Sequence, residues 1–280
     1  MSKICLIDAD VLAYECPFAG QFKDELTGEL VMKEFDSVEE HLDMKITECL
    51  EANFSTEAIL FLSGDEKLSK LLKRPIRRNF RYEVAKTLPY KGNRKVDKPL
   101  HYDNIRAFML SRYNCVVSDG CEADDMLAAF QHINKDTVIC SVDKDLRMVP
   151  GWHYTWAVGK RPAIPPHYVK PLGELSWDGK KLWMTGSKAF YAQLLMGDPV
   201  DNIQGIPKLG PAGAYKLLQG ATSDSELYQL VRARYMAEWP ENGIEKLKEH
   251  AALVWMVREF LPDGSPVLFK PPKEVHTESR

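Results

Sequence analysis

Short apolar runs that end in carboxylates are the feature of this sequence that most limits its fold. Runs at residues 3–7, 58–62, 115–117 and 137–140 are predicted to be buried strands. Segments with helical spacing, at residues 38–53, 104–113 and 122–133, separate them. Strands that alternate with helices predict an α/β fold with a mainly parallel, twisted sheet and helices on both faces.

Ten carboxylates fall into five short groups, and all but the last group lie at or soon after these runs: Asp8 with Asp10; Asp65; Glu122, Asp124 and Asp125; Asp143 with Asp145; and Asp198 with Asp201. Ligands of parallel sheets bind outside the carboxyl ends of the strands, so we expect these side chains to share one edge. Like charges a few ångströms apart repel strongly, so such a cluster must take up protons or bind cations. Hard divalent ions with oxygen ligands are the favoured solution.

Composition describes a globular chain rather than a membrane or disordered one. Of the 280 residues, 45% are hydrophobic and 28% are charged, and no apolar run approaches the roughly 18 residues of a membrane span. The N-terminus runs directly into the first predicted strand, without the apolar core of a signal peptide. We therefore expect a cytoplasmic protein.

A basic segment, residues 67–98, carries twelve Lys or Arg and only two acids, although the whole chain has a net charge of -3. Such a segment suits a polyanion, because Lys and Arg gain affinity for phosphates through counterion release. Its aromatic residues, Phe80, Tyr82 and Tyr90, add surfaces on which bases can stack. The alternative for a charge run is a solvated helix face.

The chain changes character after about residue 150. Residues 152–183 are rich in Trp, Pro and Gly and predict hairpins and turns, whereas helices dominate from residue 187. We expect an α/β catalytic domain at 1–186, a helical region at 187–261 and a tail at 262–280. Between two helices, the turn with Gly205, Lys208 and Gly210 is suited to binding a phosphate through backbone N–H groups, although it could equally be a plain turn.

Several of these groups stand in an ordered set of motifs. They are Tyr90-Lys91-Gly-Asn-Arg94, Glu122-Ala-Asp124-Asp125, Asp143-x-Asp145 and Gly197-Asp198-x-x-Asp201-Asn-Ile-x-Gly205-Ile. In this order and spacing the chain resembles the 5'-nuclease family, which includes flap endonucleases and the 5'-3' exonucleases of bacterial DNA polymerase I and of bacteriophages. In its length and in its lack of an attached polymerase domain, the chain most resembles the free-standing phage exonucleases.

The resemblance implies a role for each acid and for two basic residues. A first metal site would comprise Asp8, Asp65, Glu122 and Asp124, with Asp125 beside it. A second metal site would comprise Asp143, Asp145, Asp198 and Asp201. Two or three divalent cations, Mg²⁺ or Mn²⁺, would bind there and stabilise an in-line displacement at phosphorus. Lys91 and Arg94 would place positive charge beside the scissile phosphate, Tyr90 would stack on a terminal base, and Asp10 would not be a ligand.

The implied activity is divalent-metal-dependent hydrolysis of DNA as a 5'-3' exonuclease or 5' flap endonuclease, in replication, recombination or repair. Its partners would be duplex DNA with a 5' end, nick or flap, and RNA in RNA–DNA hybrids, in the host cytoplasm if a phage encodes it. The turn near Gly205 departs from the family's helix-hairpin-helix motif because Lys208 stands where the middle glycine is expected. This departure weakens the case for the K⁺ ion that the family often binds there.

Two other functions fit parts of the sequence. A structure-specific DNA-binding protein without catalysis would need the basic segment and the helical region but not every acid. A haloacid-dehalogenase-type phosphatase would use Asp8 as nucleophile and Asp10 as general acid. The phosphatase explains neither the Glu122–Asp125 motif nor the Asp198–Asp201 motif.

Overall fold

The computed structural model describes residues 3–32, 34–94 and 97–273, without the side chains of Leu30 and Met32. The last part of the predicted tail, residues 274–280, and Lys95 of the basic segment lie outside the described residues. The chain forms two compact units. The first comprises Met1–Asn79, Lys95–Leu146 and Gly151–Tyr168, and the second comprises Phe80–Arg94, Arg147–Pro150 and Val169–Arg280.

A six-stranded sheet forms the centre of the first unit, in the order β5-β4-β1-β6-β7-β8. Its strands are β1 (Ile4–Asp8), β4 (Ala58–Leu62), β5 (Cys115–Val117), β6 (Thr137–Cys140), β7 (Gly151–Thr155) and β8 (Ile164–Val169). Four pairs, β1 with β4, β1 with β6, β4 with β5 and β6 with β7, are parallel. The carboxyl ends of β1, β4 and β6 therefore lie along one edge.

The helices of this unit cover both faces of the sheet. They are α1 (Ala9–Ala19), α2 (Phe35–Ala52), α3 (Glu66–Leu72), α5 (Tyr102–Arg112) and α6 (Ala123–Ile133), and a small hairpin of β2 (Gln21–Lys23) and β3 (Leu30–Met32) follows α1. Alternate strand residues such as Ile7 and Leu62 pack with Leu12 and Leu42 of α1 and α2. On the other face, the ring of Phe61 packs edge-on against Phe130 of α6. Burial on both faces explains why these strands read as continuous apolar runs.

The second unit is mainly helical. It contains α4 (Arg81–Val84), β9 (Leu175–Trp177), β10 (Leu182–Met184), α7 (Gly186–Met196), β11 (Gly197–Asp198), β12 (Ile203–Gln204), α8 (Pro211–Leu218), α9 (Asp224–Glu238) and α10 (Gly243–Val254). Tyr235 of α9 is fully buried, and its hydroxyl donates to the Leu194 carbonyl at 2.8 Å and lies 2.9 Å from Nδ1 of His250. This polar contact fixes α7, α9 and α10 in one core.

The predicted fold class is confirmed: the sheet is mainly parallel, and a helical region follows it. One difference concerns residues 152–183, which were expected to form only hairpins and turns. Strands β7 and β8 instead extend the main sheet, and only β9 and β10 form a separate hairpin. Pairing with an existing strand edge satisfies backbone groups that a free hairpin would leave to water. Within the described ranges, no helix is both long and apolar enough to span a membrane.

Candidate functional site

Asp8 ends β1 and begins α1, which fixes its carboxylate at the edge of the sheet. Its Oδ1 accepts the Val11 N–H at 3.2 Å, as an N-cap residue does, and its Oδ2 accepts the Ser141 hydroxyl at 2.6 Å. Ser141 follows β6, whose Cys140 is in register with Ile7. Asp8 is only 2% exposed. The parallel pairing of two strands thus places a buried carboxylate against the neighbouring loop.

The Glu122–Asp125 motif forms the start of α6. Glu122 is the N-cap and shares a reciprocal capping box with Asp125, whose Oδ2 accepts the Glu122 N–H at 3.0 Å. The Ala123 N–H donates to the Ser63 hydroxyl at 2.9 Å, which ties this helix start to the end of β4. Asp125 is fully buried and serves the helix cap, whereas the carboxylate of Asp124 does not take part in the cap.

Asp143 and Asp145 lie in the loop after β6. The Asp143 N–H donates to the Ser141 hydroxyl at 2.9 Å, and the Asp145 N–H donates to Asp143 Oδ1 at 2.8 Å. The ammonium of Lys144 lies 3.4 Å from Asp145 Oδ1. Ser141 therefore links the loop of Asp143 directly to Asp8.

Electrostatic coupling shows which acids of the first unit lie close together. Burial, with the charges of Asp10 and Asp143, raises the pKa of Asp8 to about 7, although the Ser141 hydrogen bond opposes the rise. Burial, with the charges of Asp8, Asp143, Glu122 and Asp10, raises the pKa of Asp124 well above its usual value. We call these five residues the acidic cluster. All five can be ionised together only if cations offset the charge; otherwise some of them take up protons.

The acidic cluster offers the right donors for a hard cation but does not converge on a single point. Carboxylate oxygens are the ligands that Mg²⁺ and Mn²⁺ prefer. The pKa values of Asp8 and Asp124 are raised because their negative charges are buried beside other carboxylates, so a cation bound there would be favourable. Within the described parts of the chain, however, no group of three or more Asp, Glu, His or Cys side chains is arranged so that it could hold a metal ion. Ion binding would therefore require side-chain adjustment.

Asp65 is placed differently from the acidic cluster, because basic side chains satisfy it. Its Oδ1 accepts the Leu68 N–H at 2.9 Å at the start of α3, and its Oδ2 accepts Nη1 of Arg106 at 2.8 Å. The Lys98 ammonium lies 3.7 Å from Asp65 Oδ2. Burial alone would raise the pKa of Asp65, but the Arg106 hydrogen bond, the Leu68 N–H and these positive charges hold it below its usual value.

Arg106 is a residue of the site that the sequence analysis missed. It is 1% exposed, and besides Asp65 it donates from Nη2 to the Ser63 carbonyl at 2.9 Å. Its charge also acts on Asp10. A single arginine inside a predicted helix carries no sequence signal; only the carboxylates around it in the structure reveal its role.

Asp10, which the sequence analysis kept out of the metal sites, lies within the acidic cluster. Both of its oxygens accept the Ser63 N–H, at 3.0 and 3.1 Å. Burial raises its pKa, and the hydrogen bonds from Ser63 and the charge of Arg106 oppose the rise. This geometry does not support the phosphatase alternative, in which Asp8 is the nucleophile. Asp8 is almost fully buried, and both of its oxygens accept hydrogen bonds.

Asp198 and Asp201 belong to the second unit, so the acids predicted for a second metal site are divided between the units. Asp198 is 3% exposed; its Oδ1 accepts the Val200 N–H at 2.8 Å and its Oδ2 accepts the Gln193 amide at 3.0 Å. Asp201 accepts the Tyr90 hydroxyl on Oδ2 at 2.9 Å and Nη2 of Arg94 on Oδ1 at 2.7 Å. Their assignment as metal ligands stays a prediction.

The catalytic residues predicted by resemblance, Lys91 and Arg94, lie in a tight turn. The Gly92 N–H donates to the Pro89 carbonyl at 3.0 Å, and Lys91 has a left-handed φ of 55°. Its ammonium lies 5.1 Å from the centre of the Tyr90 ring. Tyr90 is 4% exposed, and Asp201 and the neighbouring Tyr82 ring enclose it. Stacking of this ring on a base, which would require its exposure, stays a prediction.

The turn with Gly205, Lys208 and Gly210 joins α7 and β11–β12 to α8. A Cβ on Gly205 would lie 2.2 Å from the backbone of Met196, so this position requires glycine. Lys208 has a φ of 61°, and Gly210 is the N-cap of α8, with Pro211 at its first position. The turn therefore connects two helices. Gly205 is required for close packing against Met196, and Gly210 begins α8 as its N-cap.

A cleft of about 480 Å³ opens beside this turn. Its basic lining comes from Lys208, Lys216 and Arg234, and Pro207, Leu209, Gly213 and Leu217 complete the wall. No acid lines it among the described residues. A cleft with three cations and no carboxylate favours a phosphate ligand.

The basic segment is divided between the two units, and several of its charges are paired or buried. Lys70 pairs with Glu66 and Arg77 pairs with Asp119 in the first unit, whereas Arg81 is 2% exposed in the second. The alternative of a solvated helix face accounts for little of the segment, because its described residues, 67–94 and 97–98, include only two short helices, α3 and α4. Much of its charge is therefore used within the protein.

Comparisons with known proteins bear on the fold. No family model matches the chain. DNA polymerase I of Rhizobium leguminosarum is 34% identical over 120 residues, which is 41% of this chain and 10% of the polymerase. DNA polymerase I of Streptococcus pneumoniae is 27% identical over 163 residues, 55% of this chain and 16% of the polymerase. The chain thus corresponds to a small part of these relatives.

Among solved structures, the T5 D15 protein, co-crystallised with metal ions, is similar over 90% of both chains, with 16% identity and a TM-score of 0.51. This likeness extends through nearly the whole chain, as the ordered motifs do. The resemblance to the 5'-nuclease family is confirmed. At 16% identity, the likeness to the T5 D15 protein shows that the two chains share a fold.

Proposed function

We propose that this protein is a divalent-metal-dependent nuclease that hydrolyses phosphodiester bonds of DNA from or near a 5' end. The acidic cluster is the observation that carries the proposal. Five carboxylates interact at the carboxyl edge of a parallel sheet, and burial and mutual repulsion raise the pKa values of Asp8 and Asp124. Such a concentration of negative charge is unfavourable unless it binds cations.

In this proposal Asp8, Glu122, Asp124 and Asp143 hold the ions, and Asp10 is added to the set. Bound Mg²⁺ or Mn²⁺ would supply the positive charge that stabilises the attacking and leaving oxygens of an in-line displacement. The chain's own contribution is preorganisation. The hydroxyl of Ser141 holds the Asp8 carboxylate at 2.6 Å and also accepts the Asp143 N–H, so that two ligands are fixed by one side chain.

Lys91 and Arg94 supply positive charge to the phosphate in the proposed reaction. Their side chains act electrostatically, because negative charge develops on the nonbridging oxygens as the bond breaks. Arg94 Nη2 pairs with Asp201 Oδ1 at 2.7 Å, and a guanidinium that binds a carboxylate can also bind a phosphate oxygen.

DNA as the substrate is supported by the two relatives, both of which are DNA polymerases, and by the basic cleft of the helical unit. Lys208, Lys216 and Arg234 suit the backbone of a duplex rather than its bases, since they offer charge without directional base recognition. The helical region is accordingly proposed as the part that binds duplex DNA.

Product analysis tests this function most directly. We would incubate the protein with Mg²⁺ and three 5'-labelled substrates: a blunt duplex, a nicked duplex and a 5' flap. Mononucleotides from all three indicate an exonuclease, and an intact released flap indicates an endonuclease. We expect EDTA to abolish cleavage. The Asp124→Asn variant should lose at least about 100-fold in rate, because it removes a ligand charge.

The matched control is Asp36→Asn, which removes an exposed carboxylate from the first turn of α2. Its rate should equal that of the unmodified protein. Equal loss in both variants would assign the effect to general charge or stability and would contradict the proposal.

A non-catalytic DNA-binding protein is the second candidate. It is favoured by the lack, within the described residues, of any acid group arranged to hold a metal ion, and by the pairing of Asp65 with Arg106. Gel-shift binding of the nicked duplex without product, in Mg²⁺ and in Mn²⁺, would establish this alternative and overturn the nuclease.

A further inference from the structure

A strap, Phe80–Arg94, carries Lys91 and Arg94 and is part of the helical unit rather than of the unit with the sheet. We propose that Glu249 of α10 is a positioning residue that fixes the strap and, through it, the side chain of Lys91. This inference rests on the proposed function, in which Lys91 acts on the phosphate.

Glu249 holds the middle of the strap with one carboxylate. Its Oε1 accepts the N–H groups of Lys86 and Thr87, each at 2.7 Å, and its Oε2 accepts the Thr87 hydroxyl at 2.8 Å. Hydrogen bonds to an ionised acceptor are about twice as strong as neutral ones. Burial alone would raise the pKa of Glu249, but these donors hold it below its usual value, so the carboxylate is charged at neutral pH.

The beginning of the strap is fixed to the end of the same helix. Arg81 is 2% exposed and donates from Nε to the Leu253 carbonyl at 2.9 Å and from Nη2 to the Trp255 carbonyl at 2.8 Å. Leu253 lies in the last turn of α10 and Trp255 is its C-cap, where carbonyls lack helical partners and favour a cation. One helix thus anchors both the start and the middle of the strap.

The end of the strap is fixed to the turn that contains Asp201. The Lys91 N–H donates to the Asp201 carbonyl at 3.0 Å, and the Asn202 amide donates to the Pro89 carbonyl at 2.9 Å. These contacts hold Lys91 at a φ of 55°, a left-handed conformation that is unfavourable for a non-glycine residue. A residue keeps such a conformation only where its surroundings enforce it, so the anchors determine where the Lys91 side chain points.

Glu249 can be removed without touching a predicted metal ligand or a predicted catalytic residue. Asp201 cannot serve, because the family resemblance assigns it to a metal site. A displacement of about 1 Å in a catalytic group can lower a rate about 100-fold. Glu249→Ala should therefore lower kcat on a nicked duplex by about 10- to 100-fold and leave KM within about threefold.

The first experiment measures hydrogen exchange at the amides of Lys86 and Thr87. In Glu249→Ala both should exchange at least about tenfold faster, while amides inside α9 are unchanged. Glu249→Gln keeps the side-chain length and one acceptor oxygen, so it should give an intermediate result and provides a second variant if Glu249→Ala does not fold. Glu245→Gln, one turn earlier on α10 and exposed, is the matched control and should behave as the unmodified protein.

The second experiment measures kcat for Glu249→Ala alone and combined with Lys91→Ala. If Glu249 acts through Lys91, its removal should cost little in the Lys91→Ala background. Unchanged exchange at the two amides, or a kcat within twofold of the unmodified value, would overturn the positioning role. If the unmodified protein cleaves no DNA, the proposed function fails; if Lys91→Ala cleaves at full rate, the role of Lys91 fails and with it the effect of Glu249 on kcat. In both cases hydrogen exchange at Lys86 and Thr87 still decides whether Glu249 anchors the strap.

Discussion

Removal of the Arg106 guanidinium is a direct test of how the acid-rich sheet edge is stabilised. Arg106 is 1% exposed and donates to Asp65 at 2.8 Å and to the Ser63 carbonyl at 2.9 Å. Its replacement by Met keeps an apolar chain to pack against Tyr102, whose ring centre lies 5.0 Å from the guanidinium carbon. We therefore expect Arg106→Met to fold, with a clear loss of stability.

The magnitude follows from the partners that are left behind. Hydrogen bonds to charged groups contribute about 1.5–3 kcal/mol each, and breaking a buried ion pair costs about 3–5 kcal/mol. The Asp65 side chain is 34% exposed, so water partly replaces the lost partner. A loss at the lower end, about 3 kcal/mol, is expected for Arg106→Met.

Urea denaturation at neutral pH without divalent ions measures this loss. The control is Lys70→Met, which breaks the exposed pair with Glu66 at 2.7 Å and should change stability by no more than about 0.5 kcal/mol. A double-mutant cycle with Asp65→Asn, which keeps an oxygen to cap α3, should give a coupling energy above about 1 kcal/mol. A loss for Arg106→Met no larger than that of the control would refute the idea that this arginine stabilises the acids.

Four further outcomes are expected from single features of the helical unit. Burial lowers the pKa of His250 to about 4, below its usual value of about 6.5, so the unfolded chain binds the proton first. The difference in urea stability between the unmodified protein and His250→Gln isolates this group from the acids; it should be constant above pH 6.5 and shift by about 3 kcal/mol against the unmodified protein as the pH drops toward 4. A difference that stays constant over this range would contradict this. Gly205→Ala should cost at least about 3 kcal/mol, because its Cβ would lie 2.2 Å from the backbone of α7. Gly213→Ala, whose Cβ meets only a flexible side chain at 3.4 Å, should be neutral or stabilise α8 by up to about 1 kcal/mol in thermal unfolding. Lys208→Ala should weaken duplex binding and reduce the slope of log K against log salt concentration by about one unit. Lys180→Ala, in an exposed turn, should change neither quantity. Equal effects of the two variants would argue against DNA binding at the basic cleft.

Local sequence was sufficient to predict the strands and most helices of the first unit. The runs at 58–62, 115–117 and 137–140 coincide with β4, β5 and β6. Strand β6 is fully buried and most of β4 is, so these two read as apolar runs whatever their neighbours are; β5, at the sheet edge, is only half-buried, but its three residues are apolar as well. Strands β7 and β8 did not stand out in this way, because Trp, His and Pro interrupt their apolar pattern.

The positions of the acids followed from the same rule, but their partners did not. The carboxyl ends of parallel strands share an edge, so Asp8 and Asp143 were expected together, and they meet at Ser141. Asp125 was expected at a metal site, yet its carboxylate caps α6, as an acid at that helical position commonly does. Whether it also contacts an ion stays a prediction.

The sequence by itself determined the fold class, the chain order of the motifs and the edge at which the acids gather, because these depend on periodicity and on strand direction. Only the tertiary structure decided how each charge is compensated. Arg106 and Glu249 are distant in sequence from the groups they bind, by 41 residues for Asp65 and 162 for Thr87. A hydrogen bond depends on distances of about 3 Å between atoms, and no spacing along the chain fixes those distances before the two segments pack.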